Sequence, residues 1–130
     1  MPVGIELNDG QRVVIYQFGD PWTVDEVQTA HEIAFDYYQA APRPLCFLVD
    51  CRQTRHISHE VIRLRHSTPE FWHPMCLMGT VVGAPDSFAA VLNLMGSLGV
   101  SGVSRFKFVE TMDEAWALLD QAIAAADASL

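Results

Sequence analysis

Leu45-Cys46-Phe47-Leu48-Val49 is apolar without a break, bounded by Pro42 and Pro44 on one side and by Asp50 on the other. A strand with one face in water alternates apolar and polar residues. A uniform run needs cover on both faces, which is the situation of an inner strand of a parallel sheet. Met75 to Val82 is a second run of this kind; it starts after Pro74 and closes in Gly83-Ala84-Pro85-Asp86. Two doubly covered parallel strands demand crossover connections and helices on both sides of the sheet, so the chain is directed towards an α/β layer architecture.

The remaining elements fit that frame. Val3–Leu7 and Arg12–Phe18 flank Asn8-Asp9-Gly10, whose residues are expected to supply the left-handed conformations of a tight turn, so a β-hairpin opens the domain. Thr23 with Glu26 three residues on is a capping box, and Trp22 is placed to staple onto Val27. Val27, Ala30, Ala34, Tyr37, Tyr38 and Ala41 repeat at helical spacing until Pro42 ends the helix. Ser58 suits the N-cap of a short second helix, with Ile57 and Ile62 as its staple and an end near Ser67-Thr68-Pro69. A third helix carries Phe88, Val91, Leu92 and Met95 on one face and stops at Gly96 to Gly99. Val103–Val109 reads as the last strand. Thr111 to Glu114 is a second capping box, opening a helix with Ala115, Leu118, Leu119, Ala122 and Ile123 inward. The order is β-β-α-β-α-β-α-β-α: one α/β domain over residues 1–130, with a single mixed, mostly parallel sheet entered by a hairpin.

Composition narrows the function. Half the residues are hydrophobic, which supports a packed globule rather than a disordered chain. A net charge of −8 argues against nucleic-acid binding, which needs a broad basic face. The N-terminus MPVGIELNDGQ does not have the pattern of a signal peptide, and no apolar run is long enough to span a membrane. Three cysteines (Cys46, Cys51, Cys76) without a C-x-x-C pair suit reduced thiols in the cytoplasm.

Positive charge is concentrated in residues 50–66, DCRQTRHISHEVIRLRH. Four of the eight Lys+Arg residues (Arg52, Arg55, Arg63, Arg65) and three of the five histidines (His56, His59, His66) lie there. The segment runs from the end of a buried strand onto the N-cap of a short helix. Backbone N–H groups at such a place favour an anion, and Arg52, Arg55, His56 and His59 stand around it. Arg63 lies further along the helix and Arg65 cannot share its face. Docking of an anion or an acidic partner is set against a merely solvated surface.

The element order, the hairpin entry, Asp50 ending the strand Leu45–Val49, and the closing Thr-x-x-Glu-Ala helix at Thr111–Ala115 together resemble the STAS-like proteins. That group is related to bacterial anti-sigma-factor antagonists and, loosely, to the SEC14 lipid-binding fold. The resemblance covers nearly the whole chain. It implies a docking and switching module rather than an enzyme, with protein partners and no cofactor. In the phosphoregulated branch a strand-ending aspartate precedes Asp-Ser-Ser-Gly at the start of the next helix. Asp50 fits the first position and Ser58 falls at the second, but Ser58-His59-Glu60-Val61 has neither paired serines nor the glycine. Ser58 alone carries over, as a candidate phosphoacceptor; phosphate there would meet the helix dipole and Arg55, His56 and His59.

Catalytic and metal chemistries find little support. His56-x-x-His59, with His66, His73 and Cys51 nearby, is a poor match to paired zinc-ligand spacings, so no metal is expected. Asp50-Cys51-Arg52 resembles the Asp-x-Arg of rhodanese-like domains, but the loop that would carry their nucleophile, Gly83-Ala84-Pro85-Asp86, has no cysteine. Cys46 and Arg52 satisfy C-x5-R, yet Cys46 lies within a strand. The first strand–helix turn lacks a dinucleotide glycine pattern, and there is no Gly-x-Ser-x-Gly elbow. Asp25 and Glu26 are explained by capping. Phe71-Trp72-His73-Pro74 reads as an exposed contact loop or as a plug under the sheet, and His31 as a half-buried, hydrogen-bonded histidine.

The leading expectation is a non-catalytic signalling or protein-interaction module docking through Arg52, Arg55, His56, Ser58, His59 and Arg63. The first alternative is a carrier of a small apolar or lipid-like ligand, in which the Met78, Leu92 and Met95 stripe lines a cavity rather than a packed core. The second is a small enzyme using Cys51 or the histidines. Apolar residues at the hairpin and at Phe71–Trp72 leave room for a homodimer.

Overall fold

The computed structural model describes residues 3–55, 73–97 and 105–129, the side chains at 91–93 and 95–96 excepted. Five strands form one sheet: β1 (Val3–Leu7), β2 (Val13–Phe18), β3 (Leu45–Asp50), β4 (Cys76–Val82) and β5 (Phe106–Val109). They lie side by side in chain order, β1 antiparallel to β2 and every later neighbour parallel. Helix α1 (Val24–Ala40) lies between β2 and β3, α2 (Asp86–Ser97) between β4 and β5, and α3 (Met112–Ala128) follows β5. The architecture is the mixed, mostly parallel α/β sheet with hairpin entry that the sequence leads one to expect. The helix expected from Ser58 to Pro69, the Phe71–Trp72 pair, the Val91, Leu92 and Met95 side chains and the start of the last strand at Val103 lie outside the described residues.

The unbroken apolar run of β3 has a direct cause. Side chains alternate across a strand, and Phe47 and Val49 pack into a core on the α1 side, with Leu45, Tyr16, Phe18, Ala30, Ala34 and Tyr38. Cys46 and Leu48 enter a second core with Val13, Val82, Ala115 and Leu119 of α3. All five residues from Leu45 to Val49 are buried. At about 25 cal/mol per Å² of apolar surface, each such side chain stabilises by about 1.5–3 kcal/mol before entropy is charged. Gly79, the register partner of Phe47 in β4, leaves room for its ring: a Cβ there would overlap it. The ring then meets Phe106 and Tyr16 edge-on, at 5.1 and 6.2 Å between centroids.

The hairpin turn differs from expectation. The left-handed residue is Gln11, φ 56°, and not Asp9 or Gly10. Asn8 closes the turn instead: its side-chain oxygen accepts the N–H groups of Arg12 and Val13, each at 3.0 Å, while its own N–H donates to Val13 O at 2.9 Å. Asparagine thus acts here through its carboxamide rather than through its backbone tolerance. The Thr23 box is complete, with Glu26 N–H donating to Thr23 Oγ1 at 3.2 Å and Thr23 N–H to the Glu26 carboxylate at 3.0 Å. At Thr111 only the first half forms; Glu114 bonds the Thr111 hydroxyl at 3.0 Å rather than its backbone N–H. Arg12 fastens the far end of α3, donating to both Asp127 oxygens at 2.8 and 2.9 Å and to Pro44 O at 3.1 and 3.3 Å.

Candidate functional site

Strands β2 to β5 run parallel, so the loops that leave them gather along one edge of the sheet, where open α/β sheets carry their sites. Four loops meet there: Gly19–Trp22 after β2, Cys51–Arg55 after β3, Gly83–Pro85 after β4 and Glu110–Thr111 after β5. Backbone bonds extend the ladder into them, from Cys51 N–H to Val82 O at 2.9 Å and from Gly83 N–H to Val109 O at 3.1 Å. Thr54, buried, donates its hydroxyl to Gly19 O at 3.1 Å and so ties the β3 loop to the β2 loop. The Asp20–Pro21 peptide in that loop is cis.

Asp50 and Arg52 form a closed pair at this edge. The guanidinium donates Nε to Oδ1 and Nη2 to Oδ2, both at 2.9 Å, and the Arg52 N–H adds a third bond to Oδ1 at 3.1 Å. The hydrogen bond from the Arg52 side chain holds the Asp50 carboxyl below the usual carboxylate range, against a smaller opposing effect of burial. Gly83 makes room for this: it adopts φ +66°, and a Cβ there would come within 2.8 Å of Arg52 Cγ. Both the left-handed backbone and the close approach favour glycine. Arg55 is different. It is 88% exposed, and its Nε lies 4.0 Å from Asp20 Oδ2, a separation at which a surface pair contributes little.

The basic segment therefore splits. Arg52 has its fork committed to a neighbouring carboxylate, whereas Arg55 projects into solvent. His56, Ser58, His59 and Arg63 lie outside the described residues, as do Arg65 and His66. Asp20, Thr54 and Gly83 were not legible as parts of this edge. Each comes from a different loop, and only the parallel strand order brings them together. The Asp50-x-Arg52 spacing was the one local signal, and it marks a pair rather than two free charges.

Among the described residues, reactive groups are not assembled there. Cys51 is fully buried, and burial followed by the nearby Asp50 pushes its thiol up to about 12. Burial likewise takes Cys46 to about 11 and Cys76 to about 12. At neutral pH these thiols stay protonated, and the thiolate is the nucleophile. Cys51 is thus unsuited to the covalent chemistry that an enzyme would ask of it. His73 is buried, stacked on Tyr38 at 5.3 Å and edge-on to Phe35 at 4.6 Å. Its Nδ1 accepts the Met75 N–H at 2.9 Å, so that nitrogen carries no proton and its lone pair is used. His73 thereby belongs to the packed interior rather than to a contact loop. Among the described residues, no three His, Cys, Asp or Glu side chains come together in a way that could hold a metal ion, and no helix is long and apolar enough to cross a membrane.

No protein-family model matches the sequence, and no curated protein matches it either. Among solved structures the fold is similar to that of RsbS from Moorella thermoacetica, in a serine-to-glutamate variant, with a TM-score of 0.57 at 12% sequence identity. The similarity spans 95% of this chain and 99% of that one, and the fold is STAS-like.

Proposed function

We propose that this chain is a non-catalytic signalling module that works by docking a protein partner at the C-terminal edge of its parallel strands. The observation that carries the reading is the STAS-like fold over almost the full length, in a chain whose thiols are buried and protonated. The docking surface comprises the loop and the following residues, with Arg52, Arg55, His56, Ser58, His59 and Arg63 as contacts, and the fitting partner presents an acidic surface. Arg55 supports this most directly, because its guanidinium is exposed and bound by little. The Asp50–Arg52 pair gives the loop a fixed shape instead of a free charge. Ser58 is the candidate phosphoacceptor on the strength of the resemblance, and a cytoplasmic setting fits three free cysteines.

The packed interior favours docking over the carriage of an apolar ligand. The α1 side of the sheet is occupied by aromatic rings, Tyr16 meeting both Phe18 and Phe47 edge-on. The test is a binding titration between the purified chain and an acidic partner identified by crosslinking. Reversing Arg55 and Arg63 together to glutamate should abolish capture, whereas Arg52→Gln should weaken it far less. Unchanged capture by the double reversal removes the proposal.

A further inference from the structure

The tip of the β1–β2 hairpin carries chemistry that neither the docking edge nor the core uses. It precedes β2, at the other end of that strand from the docking edge. Asp9-Gly10 is the only Asp-Gly pair in the sequence. Asp9, Gly10 and Gln11 are all exposed. The bonds that close the hairpin join Asn8 to Arg12 and Val13, below the tip. Above them the Gln11 N–H donates to Asn8 O at 2.8 Å. Among the described residues the Asp9 carboxyl has no hydrogen-bond or ion-pair partner, and the Gly10 N–H donates to no group. Two neighbouring groups are thereby free to meet, because attack of Gly10 N on Asp9 Cγ closes a five-membered ring. Glycine puts no side chain in the path of that attack. Asp86-Ser87, by contrast, lies in the first turn of α2, and Ser87 has a side chain.

We propose that Asp9-Gly10 is a site of spontaneous backbone modification, at which the aspartate converts to isoaspartate in the folded protein. Water is the only co-reactant. Gly10 N bonds to Asp9 Cγ, and the amide hydrogen leaves with the carboxyl OH as water, giving a succinimide. Water then adds to one of the two ring carbonyls and breaks its bond to Gly10 N. Opening at Cγ restores aspartate. Opening at the Asp9 main-chain carbonyl leaves the chain running through Cβ and Cγ, one backbone atom longer, with a free α-carboxylate. Nothing is oxidised or reduced. The shape of the tip favours the longer product. Gln11 is held at φ 56°, a left-handed conformation that is costly for a residue with a Cβ. An added atom between Asn8 and Gln11 lets it leave that conformation. The site shares no residue with the docking edge, so it stands or falls independently.

The test is prolonged incubation of the full chain at neutral pH, warm but below its melting point, in water labelled with heavy oxygen. Digestion in ordinary water and mass spectrometry follow. The tryptic peptide ending at Arg12 should gain the label at residue 9 and separate into two forms of equal mass. An aspartate-specific endoprotease should cut one of them and spare the isoaspartyl form. Labelling should be several-fold slower in Gly10→Ala and absent from residue 9 in Asp9→Glu. Alanine fits at position 10, where its Cβ would meet Asn8 Nδ2 at an ordinary 3.7 Å, so the comparison is made between folded proteins. The chain unfolded in urea sets the reference, and the folded chain should react within several-fold of its rate. A folded chain that takes up no label at residue 9 overturns the proposal, whatever the unfolded chain does. So does equal labelling of the wild type and Gly10→Ala.

Discussion

Gly79 and Phe47 occupy one site between them. The ring lies where a side chain of residue 79 would have to go, and it also supplies the edge contacts to Tyr16 and Phe106 that fill the α1 side of the sheet. Gly79→Ala should therefore act as an overpacking substitution in a dense core and lower stability by about 1–3 kcal/mol, although alanine is otherwise the better residue for an ordered backbone. Shrinking the ring in the same molecule, by Phe47→Leu, makes room for the methyl group. The double variant should then lose much less than the sum of the single losses. Urea denaturation midpoints of the four proteins give the coupling directly. Additive losses would show that the ring can move aside at no cost. Gly83 follows a related logic on the surface, where its left-handed backbone and missing side chain admit Arg52 beside Asp50. Neither glycine stands out in the sequence, because each is required by a residue from a neighbouring strand or loop rather than by its own surroundings.

The helix starts separate what is local from what is not. Thr23-x-x-Glu26 and Thr111-x-x-Glu114 are the same signal in sequence, yet only the first closes both ways. Glu26→Ala should consequently leave the Thr23 N–H without its partner and destabilise by about 0.5–1 kcal/mol, while Glu114→Ala should cost a few tenths at most. Thermal melts of the two variants, side by side, check the difference; equal losses would mean that the second box is complete in solution. Element existence was legible throughout the described chain for a physical reason: the β3 run, the α1 periodicity and the proline stops are each encoded within a few residues. The way the hairpin closes was not. Asn8-Asp9-Gly10 pointed to a glycine-type turn, whereas the carboxamide of Asn8 caps the loop and Gln11 takes the positive φ. The candidate site was legible as a concentration of charge at the end of a buried strand, with Asp50-x-Arg52 as its one local spacing signal. That Arg52 is spent on Asp50 while Arg55 stays exposed depends on the loop's path, which no spacing rule supplies.

At the scale of the whole molecule the balance of charge makes stability respond to acid in two separate windows. Asp50 and Asp127 are held below their ordinary range by hydrogen bonds from Arg52 and Arg12. Their contribution is complete above an unfolded carboxylate value of about 4 and is lost only as the pH falls beneath it. His31 titrates earlier and for the opposite reason. Burial on the α1 flank, outweighing the favourable charge of Glu32, lowers its pKa from the ordinary histidine value. The unfolded chain therefore takes up a proton at His31 near pH 6.5, while the folded chain still refuses it. Each step down in pH through that region stabilises the unfolded state, so folding stability should decline as the pH falls from about 7 through the ordinary histidine value. His31→Gln removes the proton site and keeps a polar side chain of moderate size. If the flank is as dry as its burial implies, the wild-type denaturation midpoint should fall over this interval while that of the variant falls less, and the two curves should run parallel above pH 7.5. Equal slopes across the whole interval would mean that water reaches the ring and that the acid response arises from other histidines.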